Sequence, residues 1–148
     1  MNTSIKERLI AACIERQKVI LSETETAANE LQEQINNYGQ NKDRYDSFRT
    51  KLTRSKEQMQ QMQQQAINCI KALSQMPVKT NHIVEHGSIV ITDKQYFFIA
   101  VGIGKLHFDN HDFFVISGAA PIFKMMKNKQ VGDEFTFNKI TYKILKIE

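Results

Sequence analysis

Residues 38–46 read Tyr38-Gly39-Gln40-Asn41-Lys42-Asp43-Arg44-Tyr45-Asp46, a short polar interruption in an otherwise continuous helical pattern. How this stretch bends decides the fold. From Tyr45 onward, Phe48, Leu52, Ser55, Met59, Met62, Ala66, Cys69, Leu73 and Met76 follow three-four spacing, the seam of a coiled coil with Ser55 as its polar position. Pro77 stops this helix, because proline disfavours helical geometry in the residue before it and lacks a donor N–H. The second helix is therefore expected over about 43–76.

Upstream, Ile5, Leu9, Cys13, Ile20, Thr24, Ala27, Leu31, Ile35 and Tyr38 form a matching stripe, broken at Gln17. Ser4 with Glu7 three residues later has capping-box form, and Gly39 supplies a residue suited to a helix end. The first helix is expected over 5–38. Two arms of nearly equal length joined by a short polar link predict an antiparallel hairpin, each arm roughly 50 Å long. Folding about Gln40 and Asn41 brings Tyr38 to Tyr45, Leu31 to Leu52 and Cys13 to Cys69. Cys13 and Cys69 would then form a reduced, buried layer, the alternative being a disulfide; two free thiols in the denatured, unreduced protein would exclude the bridge.

Composition changes after Pro77. Residues 78–148 hold eight of the nine phenylalanines, whereas 58–65 read Gln-Met-Gln-Gln-Met-Gln-Gln-Gln. Two domains are expected, 1–77 and 78–148. Strand-like runs cover 87–92, 96–101, 113–117, 134–137 and 140–147, with turns at Asp93-Lys94, Asp109-Asn110 and Asn138-Lys139 and one short helix over 121–127. The fold class is α+β: a helical hairpin followed by a small antiparallel sheet of five or so strands wrapping one helix.

Net charge is +4, with eleven basic against nine acidic residues before Val78 and nine against seven after it. Such mixing lacks the clustered positive stripe of a nucleic-acid binder. There is no apolar N-terminal run, so neither a signal peptide nor a membrane span is expected and the cytoplasm is the default location. His82, His86, His107 and His111 match no ligand pattern; His107 and His111, near Asp109 and Asp112, are expected in a solvated turn. Gly102 and Gly104 are a weak glycine pair with no helix after them, and no serine has a nucleophile-elbow context. No catalytic set of the chain's own emerges. Asp43 and Asp46, three apart in a first helical turn, either complement the helix dipole or present two carboxylates together at the far tip of a long arm.

The segment Val115-Ile-Ser-Gly-Ala-Ala-Pro-Ile-Phe-Lys-Met-Met-Lys-Asn-Lys-Gln-Val-Gly-Asp-Glu-Phe135 resembles the signature of the bacterial Gre-type transcript cleavage factors, and the resemblance extends over the whole chain. It implies an N-terminal antiparallel coiled coil joined to an FKBP-like domain. It also implies RNA polymerase as partner, with the globular domain docking on the rim of the secondary channel and the coiled coil entering it, in indirect contact with nascent RNA and with no membrane involved. On that resemblance Asp43 and Asp46 are the tip acids. They would help retain a catalytic magnesium ion shared with the polymerase, no cofactor being stably bound by the chain itself, while the polymerase cleaves the backtracked transcript. Tyr45 lies between them, and the docking segment maps onto Ser117, Pro121 and Ile122. The sequence departs from the family with aspartate for glutamate at position 46, Ala120 for serine, Phe123 for glycine, and Lys42, Arg44 and Arg49 around the tip. A non-cleaving regulator of the same channel is the alternative reading. A prolyl isomerase and a polymerase-independent coiled-coil adaptor, the former lacking the usual pocket tryptophan, stand behind these.

Overall fold

A computed structural model describes residues 4–38 and 47–148. The proposed bend, with Asp43, Tyr45 and Asp46, lies outside the described residues. Helix α1 runs Ile5–Asn37 and helix α2 runs Ser47–Ser74. Ser4 caps α1, its hydroxyl accepting from the Glu7 N–H at 3.1 Å. The chain divides into two compact units: Ile14–Lys71, and the first turns of α1 up to Cys13 together with Ala72–Glu148.

Within the helical unit the arms are antiparallel. The Tyr38 and Phe48 rings lie 5.2 Å apart, and the Lys56 ammonium donates to the Gln32 side-chain carbonyl across the pair. Both contacts sit about one helical turn further along α2 than the expected match of Tyr38 with Tyr45 and Leu31 with Leu52. The seam differs too. Leu52 and Ala66 are buried, with Lys56, Met59, Gln63 and Ile70 half-buried between and beyond them, whereas Phe48 is 53% and Met62 44% exposed. Four-three spacing is kept, but the covered face of α2 widens toward Lys56, Gln63 and Ile70, while the expected 48/55/62/69 row is opened at Phe48 and Met62 and stays half-buried at Ser55 and Cys69. Both rows contain polar residues, so apolar periodicity alone did not separate them. On α1 Thr24, Leu31 and Ile35 are covered as expected and Gln17 is buried in line, but Ala28 is buried where Ala27 was expected, and Tyr38 is 44% exposed. The Thr24 hydroxyl donates back to the Ile20 carbonyl at 2.8 Å, which allows a polar residue to be buried within a helix.

In the second unit six strands, not five, form one sheet: β1 Ile89–Thr92, β2 Tyr96–Ala100, β3 Gly104–Phe108, β4 His111–Ser117, β5 Glu134–Phe137 and β6 Ile140–Ile147, in the order β3-β4-β2-β1-β6-β5. The sheet is mixed, because β2 and β4 pair in parallel while the other pairs are antiparallel. This corrects the expected all-antiparallel sheet. The unforeseen strand β3 forms a hairpin with β4 through Asp109 and Asn110, both at positive φ, and that hairpin folds β4 in beside β2.

Helix α3, Pro121–Met126, packs on one face of the sheet. Phe123 and Met126 join Val90, Phe97, Ile99, Phe135, Tyr142 and Ile144 in the core. Phe135 and Tyr142 stack at 5.0 Å, and the Phe97 ring meets Tyr142 edge-on at 6.0 Å. Face-to-edge contact among large rings gives this small unit the dense packing its size requires.

Candidate functional site

The segment that carries the family resemblance has a local physical logic. β4 ends at Ser117, whose carbonyl accepts from the Ala120 N–H at 3.1 Å and whose hydroxyl accepts from the Ala119 N–H at 3.3 Å. This turn delivers Pro121 to the first position of α3, where a missing N–H has no cost. After α3, Asn128 at φ 67° hands the chain to a two-bond stitch, with Asn128 N–H to Val84 carbonyl and Val84 N–H to Lys129 carbonyl. Val131-Gly132-Asp133 then turns into β5. Gly132 adopts φ 93°, a conformation glycine takes without steric cost, and its N–H donates to the Ile144 carbonyl at 2.8 Å. The Asp133 carboxylate accepts from the Gln130 N–H at 2.8 Å and holds the turn closed.

Ser117, Pro121 and Ile122 are therefore brought together at one end of the sheet. Their roles differ: Pro121 is exposed, Ser117 is half-buried in the turn, and Ile122 packs partly against the core. Met125, one turn beyond Pro121 and 47% exposed, extends the outer face of α3. Of the two neighbouring methionines only Met126 is buried, and a six-residue helix is too short for periodicity to separate them.

The unit contains a second polar cluster that sequence reading missed. Lys6 on the first turn of α1 is 4% exposed, and its ammonium donates to the Lys79 carbonyl at 2.6 Å. The Asn81 side chain, 2% exposed, accepts from the same ammonium at 2.8 Å and donates to the Glu85 carboxylate at 2.5 Å in the amide orientation its neighbours require. Burial lowers the Lys6 pKa, opposed by the nearby Glu148 carboxylate. A cleft of about 540 Å³ opens beside it, lined in part by Val78, Lys79 and Glu148.

His107 and Asp112 face each other across the β3–β4 ladder, with Nδ1 and Oδ1 2.9 Å apart, and the Lys105 ammonium lies 3.3 Å from the other oxygen. His111 stacks on Tyr96 at 4.6 Å. Among the described residues no three His, Cys, Asp or Glu side chains come together as a metal site. Cys13 and Cys69 are both free thiols, and burial pushes the Cys13 pKa up to about 12. Among the described residues no helix is long and apolar enough to cross a membrane.

No family model and no curated protein matches the chain. Among the solved structures that resemble it at low identity are two transcription factors. One, described as the transcription factor Gfh1, is 17% identical over 92% of this chain and 93% of that one, with a TM-score of 0.39. The other, the GreA factor homolog 1 (Gfh1) protein of Thermus thermophilus, is 16% identical over 91% and 94%, with a TM-score of 0.36. At these values the likeness carries no argument, and the reading below stands on the chain's own residues.

Proposed function

We propose that the chain is a Gre-type transcription factor that binds RNA polymerase, inserts its helical hairpin into the secondary channel and stimulates cleavage of backtracked transcripts. The observation that carries this reading is the 115–135 segment, whose sequence resembles the family signature and whose serine turn, proline-led helix and Gly132-Asp133 turn each have a defined structural use. The two antiparallel arms of the helical unit support it, since the resemblance implies such a hairpin. In this reading the outer face of α3, with Pro121 and Met125, lies in the docking surface, and Asp43 and Asp46 help the polymerase retain its second magnesium ion. The chemistry belongs to the polymerase, and this chain supplies carboxylates and position.

A non-cleaving channel regulator is the second reading, favoured by Lys42, Arg44 and Arg49 near the tip acids. Nearby cations satisfy the carboxylates without metal and repel magnesium. Purified chain added to a stalled, backtracked elongation complex separates the two. Shortened transcripts that disappear with Asp43→Ala plus Asp46→Ala support the cleavage role. Binding without shortening supports the regulator, and no binding at all removes both.

A further inference from the structure

One heptad row of α2 is only partly covered within the hairpin. Phe48, already packed on Tyr38, is followed at seven-residue steps by Ser55, Met62 and Cys69, with Met62 44% exposed and Ser55 and Cys69 half-buried. Antiparallel helix geometry puts the half-buried Ile20 and Ala27 of α1 on the same side of the hairpin. Charge is segregated between the two arms. Residues 19–37 of α1 carry Glu23, Glu25, Glu30 and Glu33 and no basic residue, and residues 47–56 of α2 carry Arg49, Lys51, Arg54 and Lys56 and no acid. Among the described residues none of Glu23, Glu30, Glu33, Lys51 and Arg54 makes an ion pair.

We propose that this face pairs with a second copy of the chain, the two-fold axis running along the hairpin so that α1 of each copy lies on α2 of the other. Two observations select that occupant. The row, apolar but for Ser55, has heptad spacing, which suits another helix pair rather than a flat surface. Each copy carries one acidic and one basic arm, so this axis sets unlike charges against each other on both sides, with Glu30 and Glu33 near the level of Lys51 and Arg54 as fixed by the Gln32–Lys56 contact. From Phe48 to Cys69 the face is roughly 30 Å long and about 20 Å across, or on the order of 600 Å² per partner. That corresponds to about 1,200 Å² in total, the lower end of specific interfaces, so a reversible dimer is expected. The pairing does not depend on the polymerase reading.

Sedimentation equilibrium of the full chain tests it, over about 1 to 200 μM, a range that brackets weak association. Wild type is expected to shift from monomer to dimer, and Met62→Glu to raise the dimer dissociation constant about tenfold or more, because it buries a charge at the centre of the face. Two charge-swapped forms, Lys51→Glu with Arg54→Glu and Glu30→Lys with Glu33→Lys, should each be monomeric alone and dimeric when mixed in equal amounts, since both contacts are restored only in the mixed pair. Helicity by circular dichroism checks that each form is folded. A wild type monomeric throughout, a Met62→Glu form that dimerises as wild type does, or a mixture that fails to pair would each overturn the proposal.

Discussion

Lys6→Met keeps most of the buried aliphatic stem and removes only the ammonium. Two acceptors, the Lys79 carbonyl and the Asn81 side chain, then lose their donor inside the protein. A hydrogen bond from a charged donor contributes about 1.5–3 kcal/mol, but wild type also bears the cost of burying the charge, which its lowered pKa registers. The net expectation is a loss of about 1–3 kcal/mol. With a urea slope of about 2 kcal/mol/M, the midpoint should fall by about 0.5–1.5 M. Near-ultraviolet circular dichroism of the phenylalanine- and tyrosine-rich sheet unit reports the transition. The pH dependence supplies a second readout. Native Lys6 gives up its proton below the ordinary 10.5, so between its native pKa and 10.5 the unfolded chain holds more protons, and wild type gains stability there as pH rises. The difference between wild type and Lys6→Met should therefore widen toward pH 10.5. A variant as stable as wild type, or a gap that narrows over that window, would refute this account of the cluster.

Three other outcomes are expected. Lys139, at φ 66° in the β5–β6 turn, is in a left-handed conformation that a β-carbon resists, so Lys139→Gly should stabilise the chain by about 1 kcal/mol in thermal unfolding. Asp93 is held below its ordinary 3.8, first by the Lys143 N–H and then also by Lys94; its contribution is complete above pH 3.8 and is lost as pH falls through the lower native value. Asp93→Asn should accordingly flatten the acid limb of the stability profile without altering the alkaline one. Burial raises the pKa of both thiols, so the native protein at pH 8 should react slowly with a disulfide reagent, Cys69 ahead of the more deeply buried Cys13, and denaturation should expose two fast thiols.

The helices were legible because their limits have strong local causes, the Ser4 cap at one end and Pro77 beyond the other, and each arm carries a three-four stripe. Their mutual register was not. Polar residues occupy the seam as well as its flank, so Lys56 and Gln63 compete with Ser55 and Met62 on nearly equal terms, and a contact such as Lys56 to Gln32 decides. Strand β3 escaped because it starts at Gly104 just after Gly102 and has a single buried residue, Leu106, between exposed Lys105 and His107. Parallel pairing of β2 with β4 depends on where that unseen hairpin folds and has no mark within either strand. The docking segment was readable residue by residue, since Pro121 and Gly132 each meet a backbone requirement. Lys6 was not readable, because a lysine in the first turn of a helix gives no sign that a loop more than seventy residues away will close over it.

The pairing of Val90 with Ile147 has a kinetic consequence. Joining β1 to β6 closes a loop of more than fifty residues that contains most of the sheet, whereas Tyr38 and Phe48 are only ten positions apart in sequence. Chain-closure entropy therefore sets two clocks in one molecule. The arms can zip on the microsecond scale of local helical contacts, while the sheet waits on a rare long-range encounter. During refolding, a formed but polar-seamed hairpin should precede the ordered aromatic core, visible as helical signal that returns well before the near-ultraviolet signal does.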